Sequence, residues 1–141
     1  PQIDVFLADG YTKEEMKMVH ETRKIMGTPE MAITATTVRV PVYRSHSESV
    51  NIELEQPLSV AETKQLLAAF PGVIVQDDPA AMEYPMPLFT SNRNEVFVGR
   101  IRQDDSVKYG LNLWVVGDQI RKGAALNALQ IAELMIAQNL L

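Results

Sequence analysis

The sequence predicts an α+β fold with a mixed, largely antiparallel sheet, helices packed on one face and a long C-terminal helix. Three observations predict it. Residues 33–54 contain two runs in which β-branched and polar residues alternate, which is typical of strands with one buried face. Residues 12–26 form a capped helical segment, and residues 117–141 are rich in apolar helix formers.

The first helix is predicted at Thr12 to Met26. Thr12 and Glu15 have the spacing of a capping box, in which each side chain bonds the other residue's backbone N–H, and Gly27 ends the helix. Glu14 and Lys17 are three residues apart and therefore project from one helix face. Their spacing alone favours an ordinary solvated charge pair over a binding site.

The alternation in 37–42 and 50–55 predicts two neighbouring strands joined near Arg44 and Ser45. Arg39 then lies on the face opposite the valines, and His46 follows the turn. Arginine offers a charged fork suited to carboxylate or phosphate, and histidine exchanges a proton near neutral pH. Both residue types are also common in structural or solvated roles, so the pattern by itself leaves the two interpretations open.

The rest of the chain follows similar rules. Ser59 and Glu62 form a second capping box, which begins a helix that ends at Pro71. Gly99 marks a place where strand backbones come close. The remaining predicted elements are a short strand at 73–75, a long loop at 77–94, a strand at 95–102, a central strand at 111–116 and the helix at 117–141.

Composition narrows the class of protein. The 141 residues suit a single domain, and a net charge of −5 argues against a nucleic-acid partner. The absence of a membrane-length apolar run or signal-peptide pattern predicts a soluble, cytoplasmic protein without membrane partners. With no cysteine and two histidines, we expect no metal site and no thiol nucleophile within these residues. The opening PQIDVF, without methionine, predicts a piece of a longer polypeptide.

Three separated motifs carry a family resemblance. The run TTVRVPVYRSHSESV resembles the T-x-V-R-V-P-V-x-x-x-H-S-E segment of aspartate-β-semialdehyde dehydrogenases. The segments YTKEEMK and GDQIRKGAALNALQIAE extend the likeness over nearly the whole chain in the right order. The resemblance is to the C-terminal dimerisation domain of that enzyme. It implies a homodimer or homotetramer, and places the nucleotide-binding domain and catalytic cysteine outside these 141 residues.

The resemblance also assigns roles to five residues. The family makes aspartate semialdehyde from β-aspartyl phosphate with NADPH through a cysteine thioester, on the route to lysine, methionine and threonine. It implies that His46 is the catalytic acid and base, that Arg39 binds the substrate carboxylate, that Glu14 binds its amino group and that Lys17 binds phosphate. Gln119 would lie near the nicotinamide of NADP, which the missing domain mainly binds. An ordinary polar residue in a first helical turn is an equal interpretation of Gln119.

Three alternatives stay open from the sequence. The chain could be a non-catalytic paralogue of the same family, or belong to N-acetyl-γ-glutamyl-phosphate reductase, whose pattern fits the HSES and EEMK motifs less well. It could also be a stand-alone dimerisation or small-molecule-binding module. Under the enzyme interpretation, the 141-residue chain alone is expected to be inactive and to self-associate.

Overall fold

A computed structural model describes residues 2–140. The chain divides into two compact units, at residues 1–41 and 42–141. Within residues 2–140, no helix has both the length and the apolar character needed to cross a membrane.

The first unit contains one helix, α1, at Lys13–Met26, as predicted. Thr12 is its N-cap, and the capping box with Glu15 is fully formed. Gly27 ends the helix in the left-handed conformation, at φ 65°, which glycine adopts without steric cost. The predicted start and stop of this helix are therefore confirmed.

The predicted strand at 37–42 is wrong. Its one bridge is an antiparallel pairing of Val38 with Gln2. Val38, Val40 and Val42 are 50%, 56% and 46% exposed, so the alternation has no buried face. A strand needs a partner for its N–H and C=O groups, and Pro41 has no N–H to donate. Among the described residues, this segment does not join the sheet.

The second unit is built on a four-stranded sheet with the strand order β1-β4-β3-β2. Its strands are β1 His46–Glu53, β2 Val73–Val75, β3 Val96–Asp104 and β4 Gly110–Gly117. The β1–β4 and β3–β4 pairs are antiparallel, and the β2–β3 pair is parallel. The mixed, largely antiparallel sheet and the central position of β4 are confirmed. The predicted neighbour of β1 is corrected, because β1 pairs with β4 and not with residues 37–42.

The second unit also contains three α-helices and a π-helical turn within the described residues. They are α2 at Val60–Ala69, a short α3 at Pro87–Thr90, a π-helical turn at Arg121–Ala125 and α4 at Leu126–Ala137. The Ser59–Glu62 capping box of α2 is formed as predicted. The long C-terminal helix is confirmed, although it begins at Arg121 and not at Gly117. Gln119 consequently lies in the turn before the helix.

The apolar core of this unit lies along the two central strands. Its buried side chains include Phe97, Val98, Ile101, Leu111 and Val116. Gly99 lies against neighbouring backbone, because a Cβ at that position would collide with the carbonyl oxygen of Gln76. The close approach predicted from this glycine is confirmed.

A buried carboxylate holds the irregular part of β3. Asp77 accepts hydrogen bonds from the backbone N–H groups of Arg100 (2.7 Å) and Ile101 (3.3 Å), where the register shifts between Gly99 and Arg102. Its charge is paired with Lys64 at 2.8 Å, and its side chain is 2% exposed. This Asp77 cluster satisfies the N–H groups that the bulge takes out of the sheet.

Candidate functional site

The first unit carries three of the predicted site residues. Lys17 Nζ lies 3.4 Å from Glu14 Oε1 on one face of α1, with side-chain exposures of 54% and 33%. Arg39 is exposed, and among residues 2–140 it has no ion pair. An exposed pair of this kind is weak, so both charges can change partner at small cost. These side chains are therefore open to an ionic ligand.

Glu15 does more than cap α1. Its Oε2 accepts the N–H of Thr12 at 2.8 Å, and its Oε1 accepts the N–H of Thr37 at 2.9 Å. The Thr12 N–H, followed by the Thr37 N–H, lowers the pKa of Glu15 despite the opposing effect of burial. Glu15 thus ties the start of α1 to a residue two positions before Arg39. The capping motif reveals the first bond from sequence, but nothing local reveals the second.

The second unit brings the other two predicted residues to one end of its sheet. His46 begins β1 and is exposed, and it lies opposite Gly117 at the end of β4. Two residues after Gly117, Gln119 accepts the N–H of Ser45 through its side-chain oxygen at 3.0 Å. An imidazole and a carboxamide therefore belong to adjoining backbone segments.

Ser45, immediately before His46, has an unfavourable backbone conformation. Its φ is 76°, in the left-handed region that costs a non-glycine residue about 1 kcal/mol or more. Its side chain is buried and lies 3.1 Å from the Thr90 hydroxyl and 3.2 Å from the Ser91 hydroxyl. The backbone preference of serine does not favour this conformation, so tertiary contacts hold Ser45 in it.

The residue that sequence analysis missed is Asp118, which is completely buried. It accepts the N–H of Asn92 at 2.7 Å and the N–H of Ile120 at 3.0 Å. Arg44 Nε lies 2.7 Å away, in an ion pair whose N–H is not aligned for a regular hydrogen bond. An aspartate just before a helix is a known N-cap signal, and this was the only hint in the sequence.

Asp118 is held in its charged form. Burial raises the pKa of Asp118, but the Asn92 N–H, the Arg44 guanidinium and the Ile120 N–H together lower it by more. Its pKa therefore lies below the ordinary value for an aspartate. The carboxylate is therefore negatively charged at neutral pH, one residue after Gly117, the strand partner of His46.

The two units offer different chemistry. The first has charges that can pair with a carboxylate, an ammonium or a phosphate group. The second has a histidine that can transfer a proton, next to an amide that can donate or accept a hydrogen bond. Among residues 2–140, no three potential metal ligands of the His, Cys, Asp or Glu type come together. That the two groups meet around a single ligand stays a prediction.

Residues 1–122 match the family described as "Semialdehyde dehydrogenase, dimerisation domain". The chain belongs to this family. It is 55% identical over 141 residues to the aspartate-semialdehyde dehydrogenase of Aquifex aeolicus, covering 100% of this chain and 42% of that protein. The resemblance found in the three sequence motifs is thereby confirmed.

Solved structures of the family have the same fold. The aspartate semialdehyde dehydrogenase II of Vibrio cholerae complexed with ASA superposes with a TM-score of 0.91 at 43% identity, over 97% of this chain and 40% of that one. The aspartate semialdehyde dehydrogenase of Candida albicans with NADP superposes with a TM-score of 0.74 at 27% identity. That match covers 96% of this chain and 46% of the Candida albicans chain.

The chain thus spans less than half the length of these relatives. All five predicted site residues, and Asp118, lie within the range that matches the dimerisation domain family.

Proposed function

We propose that this chain is the C-terminal substrate-binding and dimerisation part of a cytoplasmic, NADP-dependent aspartate-β-semialdehyde dehydrogenase. The parent reaction is the reversible reductive dephosphorylation of β-aspartyl phosphate in amino-acid biosynthesis. The observation that carries this proposal is the TM-score of 0.91 to the Vibrio cholerae enzyme, whose structure was determined with ASA. The parent protein is expected to be a homodimer or homotetramer, in keeping with the family's description as a dimerisation domain.

His46 is the proposed acid and base. The reaction needs a group that takes the proton from a thiol as it attacks the acyl carbon and later returns a proton to oxygen. The His46 imidazole is exposed at the first residue of β1, so a thiol from another part of the protein can reach it. No cysteine lies among these 141 residues, so the thiol comes from elsewhere in the parent protein.

The charges of the first unit are the proposed substrate contacts. Arg39 presents a planar fork that matches a carboxylate, Glu14 complements an ammonium group, and Lys17 complements phosphate. The exposed 3.4 Å contact between Glu14 and Lys17 is weak, so a charged ligand can replace it at small cost. Each charged group of the substrate thereby has a partner of opposite charge.

Gln119 is the proposed contact to the cofactor. Its side-chain oxygen accepts the Ser45 N–H, which leaves the amide NH₂ as a donor to another acceptor, such as the carboxamide oxygen of a nicotinamide. The residues present therefore fit one edge of NADP, and the rest of its site belongs to the parent protein's nucleotide-binding domain. When bound, NADPH supplies the hydride that reduces the thioester.

The decisive test uses the full-length protein that contains this chain. We expect phosphate-dependent reduction of NADP by aspartate semialdehyde, and we expect His46→Ala to lower kcat by about 10² to 10⁴-fold. His20→Ala, which changes the exposed histidine on α1, is the matched control and should leave kcat unchanged.

Two results would contradict the proposal. A folded full-length protein without turnover would make it a non-catalytic member of the family. Equal rates for the two histidine variants would remove His46 from the chemistry. The 141-residue chain alone is expected to be inactive, so a His46-dependent rate from it would also be contrary.

A further inference from the structure

We propose that Asp118 is the positioning residue of this site, and that its buried carboxylate fixes where His46 and Gln119 lie. The inference rests on the proposed function for what those two residues do. The way in which Asp118 holds His46 and Gln119 in position does not depend on the proposed function. Asp118 touches neither substrate nor cofactor in this role, since it acts through its neighbours.

Asp118 joins three separate stretches of the second unit. One of its oxygens accepts the N–H of Asn92 and lies against the Arg44 guanidinium, and the other accepts the N–H of Ile120. Its backbone carbonyl accepts the N–H groups of Arg121 (3.1 Å) and Lys122 (2.9 Å), which begins the C-terminal helix. A single residue therefore connects the end of β4, the loop at Asn92 and the segment before β1.

The contacts around Asp118 link two runs of three residues. Arg44 pairs with Asp118, Ser45 with Gln119, and His46 with Gly117. One run is residues 44–46 and the other is residues 117–119. Asp118 is the middle residue of the second run, between Gly117, which pairs with His46, and Gln119, which binds Ser45. Movement of Asp118 would reach the backbone of His46 through Arg44 and Gly117.

The left-handed backbone of Ser45 explains why such a contact is needed. A serine at φ 76° relaxes toward ordinary backbone angles unless neighbouring contacts oppose it. Relaxation there would redirect the chain at its next residue, His46. The Arg44–Asp118 pair acts on the residue before Ser45, and the Gln119 bond acts on Ser45 itself.

An asparagine at this position cannot replace these contacts, although it has the same shape. Its side chain offers one acceptor oxygen where Asp118 uses both, so one set of N–H donors would face an NH₂ group. The substitution would also leave the Arg44 guanidinium, largely covered by protein, without its negative partner. Asp118→Asn therefore changes the positioning with little change in packing volume.

The Asp77 cluster provides a matched control in the same unit. Asp77 is also buried, is also paired with a cation, Lys64, and also accepts two backbone N–H groups. Its contacts lie at the β3 bulge, however, and none of its hydrogen bonds or ion pairs involves residues 44–46 or 117–119. Asp77→Asn should cost stability by the same mechanism without moving His46.

The experiment compares Asp118→Asn, Asp77→Asn and wild type in the full-length protein. Imidazole resonances of ¹⁵N-histidine-labelled protein are recorded, with His46 assigned by its disappearance in His46→Gln. We expect Asp118→Asn to shift the His46 resonances, leave those of His20 in place, and lower kcat by about tenfold or more with a smaller change in KM. We expect Asp77→Asn to lower Tm while leaving the His46 resonances and kcat as in wild type.

Each outcome decides the matter. A folded Asp118→Asn protein with unmoved His46 resonances would overturn the positioning role, whatever its activity. Shifted resonances in Asp118→Asn, together with full activity of His46→Gln, would support the positioning role and reject the proposed acid and base role of His46. Shifted resonances in a full-length protein that has no turnover would support the positioning role and reject the proposed function. If Asp118→Asn does not fold, Arg44→Gln is measured instead. Arg44→Gln removes the ion pair but keeps the two hydrogen bonds that the Asp118 carboxylate accepts from backbone N–H groups. Unmoved His46 resonances in that variant would then overturn the role.

Discussion

The two units hold their predicted site residues in different ways. In the first, Glu14, Lys17 and Arg39 are side chains at the surface, and the buried Glu15 carboxylate organises the backbone beside them. In the second, Asp118 does the organising, with a cation, Arg44, as an additional partner. Among the described residues, Glu15 has no ion pair. A side chain that only attracts an ion can bind it from several rotamers. A side chain that transfers a proton needs a fixed position relative to the reacting atoms.

Among the surface side chains of the first unit, Arg39 should have the greatest effect on substrate binding. Arg39→Ala in the full-length protein should lower kcat/KM for aspartate semialdehyde by about 10²-fold, since the carboxylate loses a bidentate partner. The kcat/KM of Arg39→Lys should lie between those of wild type and Arg39→Ala, because lysine keeps the positive charge but cannot bind the carboxylate bidentately. Tm should not change, because Arg39 is exposed. Steady-state kinetics check this, with the exposed Lys24→Ala as control; a parallel loss of Tm would mean that Arg39 is structural.

The next effect compares the two capping boxes. Thr12→Ala should cost about 1 kcal/mol or more of local stability and Ser59→Ala about 0.5 kcal/mol, because Thr12 is buried and Ser59 exposed. Hydrogen exchange of the first-turn amides of α1 and α2 measures both losses. Thr12→Ala should also raise KM, since the Glu15 contact to residue 37 loses its support. Equal KM values in the two variants would show that Glu15 does not position Arg39.

A smaller effect should appear as pH dependence. Because the pKa of folded Asp118 lies below its ordinary value of about 3.9, Asp118 stabilises the second unit fully above that value. This stabilisation is lost as the pH falls through the lowered pKa. Urea midpoints between pH 7 and pH 3 should therefore drop less steeply in Asp118→Asn than in wild type. Parallel curves for the two proteins would contradict the assigned charge state.

The smallest effect concerns the Glu14–Lys17 pair. Lys17→Met should change stability by about 0.3 kcal/mol, because both side chains are substantially exposed. The same variant should raise KM for phosphate, since that ligand loses its positive partner. Denaturation and phosphate titration of the rate check the two parts separately. A stability loss as large as that of Thr12→Ala would mean that the pair is structural.

Several elements could be predicted because their sequence signals are local. Both capping boxes, the stop at Gly27, the short β2 strand and the close approach at Gly99 were predicted from neighbouring residues. The family resemblance also came from the sequence, because its three motifs keep their order along the chain. The signals for these features lie within a few residues, which a sequence shows directly, although Gly99 itself contacts the distant Gln76 and β2 pairs with β3.

Long-range contacts determine which segment pairs with β1 and what holds the predicted site residues. The alternation at 37–42 predicts a strand, but no neighbouring strand pairs with it within the described residues, while β1 pairs with a segment far along the chain, at Gly110–Gly117. The contacts of Glu15 with Thr37 and of Asp118 with Arg44 are likewise long-range. A carboxylate looks the same in a sequence whether it is solvated or buried against distant N–H groups, because its partners are chosen by the folded chain.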